Sequence, residues 1–262
     1  SVGGTLHSLI YLHPPIESSV SEANISQAKT KYFEYLASEC GEITLEGLPA
    51  DRDVGSRRLK LENIFVPLYL EPSSEYKQDS STSIREEQDS SDPEERVPVG
   101  NILCQPVTRL AILSVPGGGK TTLLKRLAVA YAFPDRLKLS DDDLPERPWF
   151  PLLVRCRQLG ETAKLPICDI LRTISQRAEM TGLTEAFMLI VNNSLRSGEI
   201  LLLIDGLDEV SDEGARISFV KQLRTFLATY PNISIIITSR EPGFRLVGGS
   251  LSTHCQLYKV SD

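Results

Sequence analysis

The stretch Ser114-Val115-Pro116-Gly117-Gly118-Gly119-Lys120-Thr121-Thr122 holds the residue types that wrap an anion. Small residues let successive backbone N–H groups turn inward, and a helix that starts beside them adds its partial positive charge. A lysine supplies a full charge for terminal phosphates, and the hydroxyl after it can ligate Mg²⁺. The pattern assigns Ser114, Pro116, Gly117, Gly118, Gly119, Lys120, Thr121 and Thr122 to phosphate binding. Within it, Lys120 would reach the β- and γ-phosphates, Thr121 the Mg²⁺ and Thr122 the α-phosphate. One position leaves the pattern GxxxxGK[ST]: Ser114 stands where the first glycine belongs. Its Cβ resists positive φ, so the start of the loop is expected to differ. A glycine-rich turn with an incidental lysine is the plainer reading, but it does not account for position, lysine and paired threonines agreeing.

Two further runs supply what such a loop needs. Leu201-Leu202-Leu203-Ile204-Asp205-Gly206-Leu207-Asp208-Glu209 is an apolar strand that ends in acids. Asp205, at the strand's carboxyl end, can hold the hydration shell of Mg²⁺ as in Walker B sites. Asp208 and Glu209 lie one short turn further; either could orient or deprotonate the attacking water, and Asp208 is the first choice. Ile235-Ile236-Ile237-Thr238-Ser239-Arg240 is a second apolar strand, ending in an arginine. If it neighbours the strand before the glycine loop, Arg240 faces the γ-phosphate and can tell triphosphate from diphosphate by charge. The catalytic set is therefore Asp208, Glu209 and Arg240, and the metal set Thr121 and Asp205. No Asn-Lys-x-Asp run follows a strand, so guanine selectivity has no basis and the expected ligand is ATP or ADP with Mg²⁺.

These groups need a frame, and the periodicity supplies one. Leu110–Leu113, Trp149–Arg155, Ile200–Ile204, Asn232–Thr238 and His254–Val260 read as strands. Helices are expected over Thr121–Ala132, Ile167–Glu179 and Thr184–Arg196, and in the segment that sets Ile217, Val220, Leu223 and Leu227 on one face. Buried strands alternating with helices imply an α/β fold with a mainly parallel sheet covered on both faces. Ahead of it, residues 1–70 form a lead-in, with a helix from about Ile25 to Cys40 and an extended run over Leu61–Leu70. Residues 71–98 are serine-rich and carry nine acidic against three basic side chains, most of the chain's net charge of −7. Such a composition has too little to bury to offset its ordering entropy, so a flexible linker is expected there. The nucleotide core then runs over 99–262.

The acidic balance disfavours nucleic-acid binding through bulk charge, and no basic stripe is interleaved with aromatics as in a helicase channel. No apolar run approaches the length of a membrane span, and no basic segment ahead of an apolar run marks a signal peptide. Five scattered cysteines read as free, buried thiols in a reducing, cytoplasmic compartment. His7, His13 and His254 are isolated and read as structural or surface residues.

The three runs, in this order, resemble the NACHT family of signal-transducing P-loop NTPases. The resemblance rests on VPGGGKTTLLKRLA, LLLIDGLDEV and ITSREPGFR, with WFPLLVRCRQL matching the family's second strand. The Asp-Gly-x-Asp-Glu form of the second motif is the family's mark, and GEITLEGLP resembles the lead-in of bacterial members. What the resemblance implies is a three-layer P-loop NTPase sandwich that binds ATP or ADP and acts as a switch. It further implies an ADP-bound closed state that exchanges to ATP and self-associates, in defence or signalling. Family members carry a winged-helix module and a repeat sensor after this core. Both are absent from this chain, so weak nucleotide binding and no self-association are expected of it alone. A turnover ATPase of the remodelling type, or a small-molecule phosphotransferase, is the alternative; a degenerate loop that binds nothing is disfavoured by Lys120, Thr121 and Asp205.

Overall fold

The computed structural model describes residues 20–44, 58–73 and 96–261. In chain order the elements are α1 (Glu22–Cys40), β1 (Glu42–Thr44), β2 (Arg58–Lys60), β3 (Tyr69–Pro72), β4 (Val97–Pro98), α2 (Val99–Leu103), β5 (Arg109–Leu113), α3 (Lys120–Ala132) and β6 (Phe150–Arg155). Next come α4 (Ile167–Arg177), α5 (Thr184–Ser197), β7 (Ile200–Asp205), α6 (Glu213–Thr229), β8 (Ser234–Ser239), α7 (Glu241–Arg245), α8 (Gly248–Leu251) and β9 (Gln256–Val260). Seven strands form one sheet in the order β4-β3-β9-β5-β8-β7-β6. From β6 to β9 all neighbours are parallel, while β3 and β4 add an antiparallel edge beyond β9. Every residue of β7 and β8 is buried, so both faces of the sheet are covered, and their runs of Leu and Ile follow from that. This is the α/β sandwich with a mainly parallel sheet.

Local signals set the ends of the helices. Ser21 caps α1 by accepting from Asn24 N at 3.2 Å, and Asp212 caps α6 by accepting from Ala215 N at 2.7 Å. Gly198 closes α5 in the left-handed region. Ile217 departs from its expected place: it is 48% exposed while Val220, Leu223 and Leu227 are buried. It lies at the margin of the apolar stripe, too far round α6 to reach the sheet.

The lead-in is woven into the core. Among the described residues strand β6 ends the sheet, and its outer edge presents backbone groups with no described strand to meet them. Helix α1 covers that edge: the buried Tyr32 hydroxyl donates to Pro151 O at 2.9 Å and accepts from Leu153 N at 3.4 Å. The Tyr32 ring packs between Phe150 and Phe187, with centroids at 5.4 and 5.1 Å. Further on, Glu39 pairs with Arg155, and Glu62 takes both arms of Arg136 at 2.5 and 2.7 Å. The extended reading of Leu61–Leu70 holds only in part, because Leu61–Asn63 is a 3-10 turn and strand β3 begins at Tyr69. Both ends of segment 71–98 lie in the sheet, where Glu71 and Pro72 belong to β3 and Val97 and Pro98 form β4. Arg96 and Glu71 are paired at 3.1 Å across that hairpin. The remainder, 74–95, lies outside the described residues, as do His7, His13 and most of GEITLEGLP. All five cysteines are free; Cys40, Cys156 and Cys255 are buried, but Cys168 is only half-buried and Cys104 is exposed, contrary to the expectation for these two.

Candidate functional site

The parallel register brings the carboxyl ends of β5, β8 and β7 side by side: Leu113 opposes Ser239, and Ile204 opposes Ile237. Ligands of open α/β sheets sit at such ends. The loop Ser114–Gly119 leaves β5 here and starts α3, with Gly117 at φ 83° and Gly119 at φ 77°. Ser114 keeps an ordinary negative φ, so its place in the pattern costs no strain. Its hydroxyl donates to Val115 O at 3.0 Å and occupies the space beside Gly118. A Cβ on Gly118 would stand 1.9 Å from that hydroxyl, so in its present rotamer the serine at one position favours the glycine at the other.

Lys120 folds into this loop and donates to Ser114 O at 2.7 Å and Val115 O at 3.1 Å. Burial holds its pKa below the ordinary lysine value, Asp208 pulls it up and Arg240 pushes it further down. Asp205 and Glu209 also act on it, so the four charged side chains chosen from sequence all face one lysine. Thr121 Oγ1 donates to Asp205 Oδ1 at 3.0 Å, and Thr238 Oγ1 lies 3.1 Å from the same oxygen. Thr238 in turn accepts from Gly206 N at 3.0 Å, which fixes the start of the acid-bearing turn. Paired hydroxyl and carboxylate oxygens are the hard donors that Mg²⁺ takes, so the residues present fit that ion.

The two later acids are placed differently. Asp208 Oδ1 accepts from Arg240 N at 2.9 Å and from the Ser239 hydroxyl at 3.4 Å, while its Oδ2 lies 3.4 Å from Arg240 Nε. Its carboxylate therefore fastens the end of β8. Glu209 is exposed, and its carboxylate has no hydrogen-bond partner among the described residues. It lies back over Gly206, which stands at φ 73°; a Cβ there would come 2.9 Å from the Glu209 carboxylate. The glycine between Asp205 and Leu207 thus serves both the turn and the acid. The arrangement favours Glu209 over Asp208 for work on water.

A cleft of about 220 Å³ runs over Lys120, Thr121, Asp205, Asp208, Glu209, Thr238 and Arg240. Beside it, on the other side of the loop, lies a cavity of about 900 Å³. Its walls include Ile64, Phe65, Leu68, Thr122, Pro242 and Lys259. Leu68 also rests on the loop, 3.3 Å from where a Gly119 Cβ would be. Ile64–Leu68 escaped the sequence reading because a short apolar run looks the same in a strand and in a pocket wall. Arg216 escaped it too: its guanidinium donates to Asp208 O at 2.9 Å. A cation in the first turn of α6 opposes the helix dipole, and that local conflict was the signal available.

Among the described residues no helix is long and apolar enough to cross a membrane. A search of curated proteins gave no match. The family model of the NACHT domain matches residues 109–262, more than half of the 262-residue chain. That span holds the glycine loop, the acid-bearing turn and the arginine that follows β8. The chain belongs to the NACHT family, whose domains are nucleotide-binding P-loop NTPases.

Proposed function

We propose that this chain is the ATP- and ADP-binding core of a switch protein, hydrolysing ATP slowly with Mg²⁺ as cofactor. The observation that carries the reading is the placement of Arg240. Its guanidinium is about half exposed at the mouth of the phosphate cleft and, among the described residues, is paired only with Asp208, at 3.4 Å. The contact is long and solvent screens its half-exposed arginine, so a terminal phosphate can take the arginine from Asp208. Loss of that phosphate returns it. Arg240 thereby reports the γ-phosphate to α7, which follows it directly.

Lys120 and the loop N–H groups neutralise the phosphate chain. Thr121 and Asp205 hold Mg²⁺, which supplies charge neutralisation at the transferring phosphoryl group. Glu209 orients the attacking water and accepts its proton. The apolar cavity beside the loop receives the base, with Ile64–Leu68 of the lead-in as one wall, so that nucleotide joins lead-in and core. Signalling or defence is the role that suits such a switch, with self-association as its output. A shift from mostly closed to mostly open needs about 5.5 kcal/mol of differential binding, more than the exchange of one arginine supplies, so a sensor partner is required.

Calorimetry of ATP and ADP with the parent and Arg240→Ala tests the reading. Arg240→Ala is expected to weaken ATP and leave ADP within about twofold, since one charge-assisted contact is worth roughly 1.5–3 kcal/mol. Equal losses for both nucleotides overturn the proposed role of Arg240. Turnover well above about 1 s⁻¹ by the isolated chain would instead assign it to the turnover ATPases.

A further inference from the structure

Arg216 lies on α6, outside the nucleotide cleft, and none of the three motifs contains it. Its guanidinium reaches into the seam between two segments that carry the chemistry. One nitrogen, Nη2, donates to Asp208 O at 2.9 Å and Val210 O at 3.4 Å; the other, Nη1, donates to Gly243 O at 3.4 Å. The first two carbonyls belong to the turn that bears Glu209, and the third to α7, just after Arg240. Nε is buried and has no hydrogen-bond partner among the described residues, so it is the two Nη atoms that tie the head group to this seam. The seam itself is tight: a Cβ on Gly243 would stand 2.3 Å from Asp208 Cβ. Asp208 adds a second tie through its side chain to Arg240 N.

We infer that Arg216 is a positioning residue that makes the Glu209 turn and α7 one rigid piece, so that Glu209 and the backbone of Arg240 keep a fixed relation while the Arg240 side chain stays free to swing. The inference rests on the proposed role of Glu209 in hydrolysis. Three carbonyls from two segments converge on one planar, five-donor group, a geometry that lysine reproduces only in part. Misplacement of a reacting group by about 1 Å costs on the order of 10²-fold in rate, so loosening the seam acts on turnover before it acts on binding.

The test sets Arg216→Met and Arg216→Lys in the parent and in Glu209→Gln. Single-turnover ATP hydrolysis, ATP affinity and amide exchange are read on each. In the parent, Arg216→Met is expected to slow hydrolysis by about tenfold or more, with affinity within about threefold, and Arg216→Lys to recover part of the rate. In Glu209→Gln, Arg216→Met should cost nothing further. Exchange should rise together over residues 207–210 and 241–245 and not in α3. Hydrolysis within about twofold of the parent, or the same loss repeated in Glu209→Gln, or exchange rising in one segment alone, overturns the inference. If Arg216→Met does not fold, Arg216→Lys carries the same comparisons at smaller amplitude. If Glu209→Gln alone hydrolyses like the parent, the reading of Glu209 fails, and paired exchange then decides the brace by itself.

Discussion

Replacing Gly118 by alanine probes the one place where the loop leaves its pattern. The added methyl would stand 1.9 Å from Ser114 Oγ, 3.2 Å from Ser114 Cβ and 3.4 Å from Val115 O. The hydroxyl must rotate away, which breaks its exposed bond to Val115 O and costs about 0.5–1 kcal/mol. The remaining 3.2 Å contact adds overpacking of about 1 kcal/mol. Against these, alanine restricts the unfolded chain and returns about 0.4–1 kcal/mol, because Gly118 is not left-handed. The net loss is then about 0.5–1.5 kcal/mol. With Ser114→Gly in place both serine contacts vanish, and the same substitution should be neutral or stabilising. The coupling between the two positions is therefore about 1–2 kcal/mol, well above the additivity error of about 0.3–0.5 kcal/mol. Urea denaturation of the four proteins measures it. Equal effects of Gly118→Ala in both backgrounds would show that Ser114 is not what keeps position 118 a glycine.

Other outcomes follow from the same geometry. Lys120→Ala should abolish measurable ATP binding by calorimetry while urea denaturation still shows a cooperative fold; unchanged affinity contradicts the site. Glu209→Gln should lower hydrolysis by about 10²–10⁴-fold with binding kept, whereas Asp208→Ala, by removing the oxygen that accepts from Arg240 N and so freeing the end of β8, should weaken ATP binding as well. A Glu209→Gln protein of parental rate refutes that division. Tyr32→Phe keeps the ring contacts but leaves Pro151 O unpaired, a loss of about 1–3 kcal/mol read by denaturation; no change would mean that α1 does not seal the edge of β6. Burial, the largest single influence, raises the Glu62 carboxyl, but the hydrogen bonds and charge of Arg136, a backbone hydrogen bond and the charge of Arg126 together outweigh it and hold the pKa below the ordinary value. A depressed carboxyl stabilises the fold above its unfolded pKa and loses that contribution as pH falls. The gap in stability between parent and Glu62→Gln should therefore close below about pH 4, and a gap independent of pH contradicts the pairing.

The parallel core was legible because β7 and β8 are buried on both faces, so that Ile200–Ile204 and Ile235–Ile237 are unbroken apolar runs. The lead-in was less so. Tyr32 reads as one apolar position of a helix, yet its hydroxyl answers the edge of a strand 119 residues away. Segment 71–98 reads as unbroken polar chain, but its ends enter the sheet, Glu71 and Pro72 pairing with β9 and Val97 and Pro98 with Leu70 and Tyr69.

For the site, residue type and local order were enough to single out the loop, Thr121, Asp205 and the arginine after β8 as candidates, and the sheet gathers them along one cleft. Their candidacy depends on what each side chain is and on the strand end it occupies, and both are written locally. Which acid stays available for water was not written there, since Asp208 and Glu209 are adjacent and chemically alike. Only the packing of β8 and α7 against their turn commits Asp208 to Arg240 and leaves Glu209 exposed. The apolar wall of Ile64–Leu68 and the brace of Arg216 are likewise tertiary, because each acquires its part from partners that the chain reaches only by folding.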